Sequence, residues 1–256
     1  LVTAVEDVFA AGAGTFTAPP DSSWDAGTAQ EAQPITLLTL LETPYHLRRS
    51  DTRSLIVGAA APSSQHTGWR AVVNGDASDT STYGWMAFAP LPAALPLWGG
   101  ATIASLTLAV TVPASVTSPT AAQYDAGEAL LLVGTELMAY RTLTRNADGS
   151  TTFGSITRAV LDTVPRAHHA GSRVTVLASC ALRANLDLAA DGTVLIGARS
   201  MTSTDTQDVL EATTSSIATA SRALRPYPPA GLSVNGVLYG AGPHTFPAVV
   251  SWTERN

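Results

Sequence analysis

Four dipeptides, Asn74-Gly75, Asp148-Gly149, Asp191-Gly192 and Asn235-Gly236, punctuate this chain between stretches rich in Thr, Val and Ala. Tight hairpin turns need positive φ angles at their centre, and Asn-Gly and Asp-Gly adopt them at the lowest cost. Such punctuation between β-branched segments predicts a mainly β fold, barrel-like or sandwich-like, with few short helices. The chain is long enough, at 256 residues, for one large or two modest cores, and 45% of it is hydrophobic against 13% charged, which excludes a disordered tail. Its formal charge is −6 and all 14 basic residues are arginines. A sequence-independent grip on nucleic acid needs a basic stripe, so no specific nucleic-acid binding is expected. A base-composition bias that replaces lysine with arginine is the expected reason for the missing lysine.

The best-defined hairpin joins Glu136–Leu143 to Thr151–Ile156 through Asp148-Gly149. Alternation of polarity over Glu136–Arg141 places one face on a core and the other toward solvent or a partner. Ile103–Val112 reads as a strand stopped by Pro113, Leu55–Ala60 and Arg173–Leu177 as short buried strands, and Leu186–Leu188 with Thr193–Ile196 as a small hairpin. Arg70–Val73 precedes the first turn, and Trp85–Ala89 follows it at a distance. A short helix is expected from Thr43-Pro44 to Arg49, with Thr43 as its cap. Gln207–Leu224 admits helix or extended structure, because its Thr-Thr-Ser-Ser centre lowers helix propensity. Pro90–Pro96 reads as a loop inside a domain, while three prolines within 225–231 mark a linker. The expected organisation is an N-terminal part over 1–54, a β-rich domain over 55–224, the linker, and over 232–256 the first two strands of a sandwich, Leu232–Val234 and Val249–Trp252. The opening Leu1-Val2-Thr3-Ala4 reads as the interior of a longer polypeptide, and no apolar run reaches the ~18–20 residues of a membrane span.

Few residues suggest reaction chemistry. Without lysine there is no phosphate loop of the Gly-rich, Lys-ending type, and no nucleophile elbow or zinc-binding His-Glu-x-x-His occurs. Gly12-Ala13-Gly14 reads as a loop. His168-His169 could bind metal, but neighbouring side chains on a strand point to opposite faces, so a structural loop role is expected and no metal or cofactor is assigned. Turn formation is expected of Asp76, Asp79 and Asp125 rather than calcium binding. Glu6-Asp7, Glu42, Glu128, Glu136 and Glu211 are each eligible for a glycosidase pair, which needs two acids at roughly 5–10 Å. Arg48-Arg49 with Arg53 reads as a solvated basic face or an ion pair with Asp51 rather than an anion site, Tyr83 and Trp85 as partner-surface or packing aromatics, and lone Cys180 as a small buried hydrophobe.

Three stretches together resemble the tail-tip or baseplate-hub proteins of long-tailed bacteriophages, the family of lambda-type tip attachment proteins and gene-transfer-agent large tail proteins. The first is Leu130–Tyr140, an apolar strand, Gly134, the acidic Glu136, a second apolar strand and an aromatic. The second, Ile156–Thr163 with His168–Val174, is similar to the family's Leu-x-Arg-Gly-x-x-Gly-Thr and His-x-x-Gly pattern. The third, Arg222–Ala230 with Ser251–Asn256, resembles a linker opening into a fibronectin type III module. Asp7-Val8-Phe9 and Leu41–Tyr45 match more weakly. Ala159 and Asp162 stand where the family has glycines, so either the turn is made differently or Asp162 takes a left-handed conformation.

The resemblance implies a homotrimeric, non-catalytic hub closing the tail tube at the tail tip of a virion. Its partners would be the distal tail and hub-adaptor proteins and the tape-measure protein, with host attachment by domains further along. Glu136, Tyr140, Arg158, Thr163, His168 and Gly171 are the motif residues it marks, and a structural clasp is the role expected of them. The rival reading is a secreted β-sandwich glycan-active enzyme or carbohydrate-binding module, which predicts converging carboxylates beside aromatic rings.

Overall fold

The computed structural model describes residues 30–44, 53–97, 102–180, 182–186, 192–222, 225, 230–238 and 246–253. In chain order its first strands are β1 (Leu38–Glu42), β2 (Arg53–Ala59), β3 (Gly68–Val73), β4 (Phe88–Pro90) and β5 (Thr102–Leu108). A single turn of helix, α1 (Ala121–Asp125), separates these from β6 (Leu130–Val133), β7 (Glu136–Ala139), β8 (Thr142–Arg145), β9 (Thr151–Thr157) and β10 (Arg173–Val176). Then follow β11 (Leu182–Leu186), β12 (Thr193–Met201), β13 (Thr213–Ala218), β14 (Ala230–Val234), β15 (Val237–Leu238) and β16 (Val250–Thr253). The protein is mainly β, with one curled, half-barrel sheet and few short helices.

Three sheets build the body. The largest has the order β4-β10-β6-β7-β9-β5, with β8 continuing β7 along β9. β1-β2-β11 forms a second sheet and β13-β12-β3 a third. Period-two alternation on β2 links them: Leu55, Val57 and Ala59 enter a core shared with Trp69, Ala71, Val194, Ile196 and Ala198 of the third sheet. From the opposite face of β2, Ile56 enters a core shared with Leu130, Leu132, Leu137 and Ala139 of the largest sheet. The other face of that largest sheet holds a third core around Leu131, Met138, Tyr140, Phe153 and Val174.

Turn chemistry explains the local connections. Asn74 and Gly75 have φ of 50° and 85°, and Asn235 and Gly236 have 53° and 75°, as primed hairpin turns require. Gly149 (φ 83°) sits in the turn joining β8 to β9, and Gly134 (φ 58°) opens the two-residue turn between β6 and β7.

Several expectations are corrected. Residues 136–140 are buried on both faces: Leu137 and Ala139 pack with Ile56 of the β2 sheet, and Met138 and Tyr140 pack in the core on the other face of the largest sheet. The strand beginning at residue 102 stops at Leu108 rather than at Pro113, since Val110 N–H turns back to Leu108 O (2.8 Å). Leu186 and Thr193–Ile196 do not form a hairpin: β11 pairs with β2, while β12 lies between β13 and β3. Over the described residues of Gln207–Leu224 extended structure prevails; one 3-10 turn at Val209–Glu211 precedes β13, which contains the Thr-Thr-Ser-Ser run. Ahead of the fourth dipeptide turn, β14 pairs with both β15 and β16, giving three strands where two were expected. The expected division at residue 54 falls inside β2, and β14 begins at Ala230, inside the stretch read as linker.

Thr43 extends the β1–β2 pairing through its N–H and hydroxyl, which both reach Ser54 O (2.9 and 3.0 Å). The rest of the helix expected there lies outside the described residues, as do Gly12-Ala13-Gly14, Glu6-Asp7, Asp7-Val8-Phe9, Arg48-Arg49 and Asp191. One helix was legible but missed. Thr120 and Gln123 form a reciprocal capping box at the start of α1, a Thr-x-x-Gln signal present in the sequence.

Candidate functional site: a buried carboxylate clasp

β7 carries Glu136 at its first position, on the same face as Met138 and Tyr140. Its side chain is fully buried, so its charge must be matched from within the protein. Arg158, one residue past the end of β9, supplies a two-pronged ion pair: Nε donates to Oε1 (2.9 Å) and Nη2 to Oε2 (2.8 Å). Backbone N–H groups of Ala159 (3.1 Å to Oε1) and Arg166 (3.0 Å to Oε2) and the His168 Nε2 atom (2.8 Å to Oε2) complete the set. An ionised carboxylate only accepts hydrogen bonds, so His168 carries its proton on Nε2. Burial pushes the Glu136 pKa up, but the bonds from Arg158, Arg166 N–H and His168 outweigh it and hold the carboxyl below its ordinary range.

The remaining guanidinium protons pin the surrounding loops. Arg158 Nη1 donates to Pro96 O (2.8 Å) and Nη2 to Arg166 O (2.6 Å). Leu95 and His168 exchange backbone hydrogen bonds of 2.8 and 2.9 Å, so the Pro90–Pro96 loop becomes one wall of the clasp. Thr163 accepts from Leu137 N–H (3.1 Å) and donates to Val160 O (2.8 Å), fastening the 158–163 turn to β7. Gly171 (φ 84°) makes the turn back into β10, where its N–H meets Leu91 O (2.8 Å). The left-handed residues of the 158–163 turn are Ala159 (φ 51°) and Leu161 (φ 58°), not Asp162. Fixed hydrogen bonds of Ala159 N–H to Glu136 and of Val160 N–H to Leu137 O (3.0 Å) sustain this costly conformation.

The clasp thus unites Glu136, Arg158 and His168 directly, Thr163 through Leu137, and Gly171 at the following turn. Tyr140 stands apart. It packs edge-on against Phe153, with ring centroids 4.9 Å apart, and burial pushes its hydroxyl up to about 12. His168 is buried and His169 exposed, so the adjacent imidazoles diverge.

The other acidic candidates do not meet Glu136 among the described residues. Glu42 is buried and accepts backbone N–H bonds from Ala220 and Arg222 (both 2.8 Å), while Glu128 and Glu211 are exposed on separate segments. Asp162 accepts from Arg222 Nη2 (2.6 Å) and Nε. Sequence reasoning did not single out Arg222 or the backbone groups of Pro96 and Arg166 for the site. Only the Pro-rich loop and the His-x-x-Gly turn hinted at this wall.

Asp76 and Asp79 cap their own turns through Ser78 N–H and Ser81 N–H (both 2.8 Å), and Asp125 ends α1. The Tyr83 hydroxyl holds the Asp79 carboxyl below its usual range, helped by Ser81 N–H. Tyr83 and Trp85 are half-buried against the core of the third sheet, so packing is their role there. Cys180, the single cysteine of the chain, is buried. No group of three His, Cys, Asp or Glu side chains suited to a metal ion occurs among the described residues, and none of the described helices is long and apolar enough to cross a membrane. Clefts of about 240 Å³ beside Tyr140 and Glu128 and about 390 Å³ beside Trp85 and Phe88 are not lined by Glu136, Arg158 or His168. Compared with protein-family models and with curated proteins, the chain matches none.

Proposed function

We propose that this chain is a structural segment of a phage tail tip, part of a baseplate hub that closes the tail tube and links it to host-recognition domains during adsorption and DNA delivery. The observation that carries the reading is the placement of the motif residues. Glu136, Arg158 and His168 are at most 8% exposed, and the clasp spends both carboxylate oxygens on internal hydrogen bonds. An acid, a base and a guanidinium used in this way brace loops and do not turn over substrate. The motif segments that resemble the hub family, 130–140 and 156–174, come together at this one node.

In this reading the working form is a homotrimer within the virion. It contacts the distal tail and hub-adaptor proteins on one side and the tape-measure protein within. Immunogold labelling of intact phage particles from the same source, with antibodies raised against this chain and denatured particles as the access control, tests it. Gold at the tail tip is expected. Denatured particles without the epitope would overturn the reading and turn the search to secreted glycan-active or glycan-binding proteins.

A further inference from the structure

A second carboxylate cluster lies where the chain leaves the body toward β14. Glu42, at the end of β1, is 4% exposed, and its two oxygens take the N–H groups of Arg222 and Ala220 (both 2.8 Å). Between those two donors Ser221 has φ 54°, a left-handed conformation that is unfavourable for a residue carrying a Cβ. The two N–H groups on either side of this strained residue converge on one buried anion, as in an anion-binding backbone nest. Arg222 then reaches back: Nη1 donates to Glu42 O (2.9 Å), while Nε and Nη2 grip both oxygens of Asp162. Thr219 adds its N–H and hydroxyl to Gly192 O (2.8 and 2.9 Å).

Asp162 belongs to the same 158–163 turn that Glu136 holds through Ala159 N–H. The exit of the chain is therefore tied to β1 by Glu42 and to the clasp turn by Asp162. The ion pair is partly open to solvent, with side chains 20% and 17% exposed, and residues 219–222 contribute nothing to the three apolar cores. Segments held by polar contacts rather than apolar burial open at lower free energy than the cores beneath them.

We propose that residues 219–222 are a releasable latch: Glu42 and Asp162 hold the strained Ser221-Arg222 turn against the body, and opening the latch frees the chain leading to β14 while the three cores stay folded. This goes beyond the tail-tip reading and does not rest on it.

The test exploits the chain's arginine-only composition. Trypsin can cut only at the 14 arginines; a cut at Arg222-Ala223 needs a free Arg222 side chain, and a cut at the clasped Arg158-Ala159 bond reports global unfolding. Limited trypsinolysis read by intact mass should show Asp162→Asn cut after residue 222 about tenfold faster than the native chain, with cutting after Arg158 unchanged. Arg222→Lys, which keeps a trypsin site but loses the fork, should behave the same way. Unchanged cleavage after residue 222 in both variants would overturn the proposal. So would parallel acceleration at Arg158, because the turn would then be an integral part of the global fold.

Discussion

Glu136 illustrates how a charge can be placed inside an apolar sheet. A fully buried carboxylate survives there because Arg158 neutralises it in two-pronged geometry and two backbone N–H groups and His168 take up its remaining lone pairs. Removing one partner leaves the other buried and uncompensated. Glu136→Gln should therefore destabilise the body by about 3–5 kcal/mol, measured as a shift of the denaturant midpoint. The pH dependence has a definite sign. The carboxyl titrates below its ordinary range in the folded state, so the unfolded chain binds the proton more readily. Its contribution is fully present above the unfolded carboxylate pKa of about 4.3 and is lost as pH falls through the lower folded value. Stability measured from pH 6 downward should fall more steeply in the native chain than in Glu136→Gln. Equal slopes would mean that the clasp carries no net electrostatic stabilisation.

At the scale of elements, β2 works as a shared wall. Its alternate side chains serve two cores, and Gly58 lies between Ala59 and Val57 where the chain passes Cys180 and Met86. A Cβ at Gly58 would stand 2.5 Å from Cys180 Sγ and 2.9 Å from Met86 Sδ, closer than any relaxed contact. Gly58→Ala should cost about 1–3 kcal/mol through overpacking. Adding Cys180→Ala removes the nearest atom, and a double-mutant cycle should recover part of the loss; strict additivity would show that the sulfur is not the obstacle. Such a close approach has no signature in the sequence. What was legible is local: the Asp148-Gly149 hairpin, the strands at Leu55–Ala60 and Arg173–Leu177, and the mainly β class follow from turn chemistry and alternation within a few residues. The pairing of β12 with β3 joins residues 196–201 to 68–73, and nothing local to either strand announces it. Glu136, Arg158 and His168 were singled out by a resemblance, and nothing local to any of the three announces that their side chains meet. Arg222 escaped notice because its partners Asp162 and Glu42 lie 60 and 180 positions away, a separation at which single-residue chemistry carries no information.

For the whole molecule, the sharing of walls decides how the body comes apart. The β2 sheet contributes to two cores and the largest sheet to two, so no core can open without exposing apolar surface of a neighbour. The expected consequence is one cooperative transition for the body despite three sheets and a length at which intermediates often accumulate. Phe153→Leu in the core of the largest sheet, Trp69→Phe in the core of the third sheet and Leu137→Ala in the core between should all move the same calorimetric transition. Leu137→Ala should cost about 2–5 kcal/mol and lower the midpoint by roughly 2–4 °C for each kcal/mol. β14–β16 stand differently: none of their described residues enters the three cores, and Trp252 is 59% exposed. Trp252→Ala should leave the midpoint of the body within about a degree, since surface changes outside a cooperative unit are nearly neutral. A second endotherm that follows Trp69→Phe but ignores Leu137→Ala would split the body into independent units. The sharing of β2 between two cores would then carry packing without cooperativity.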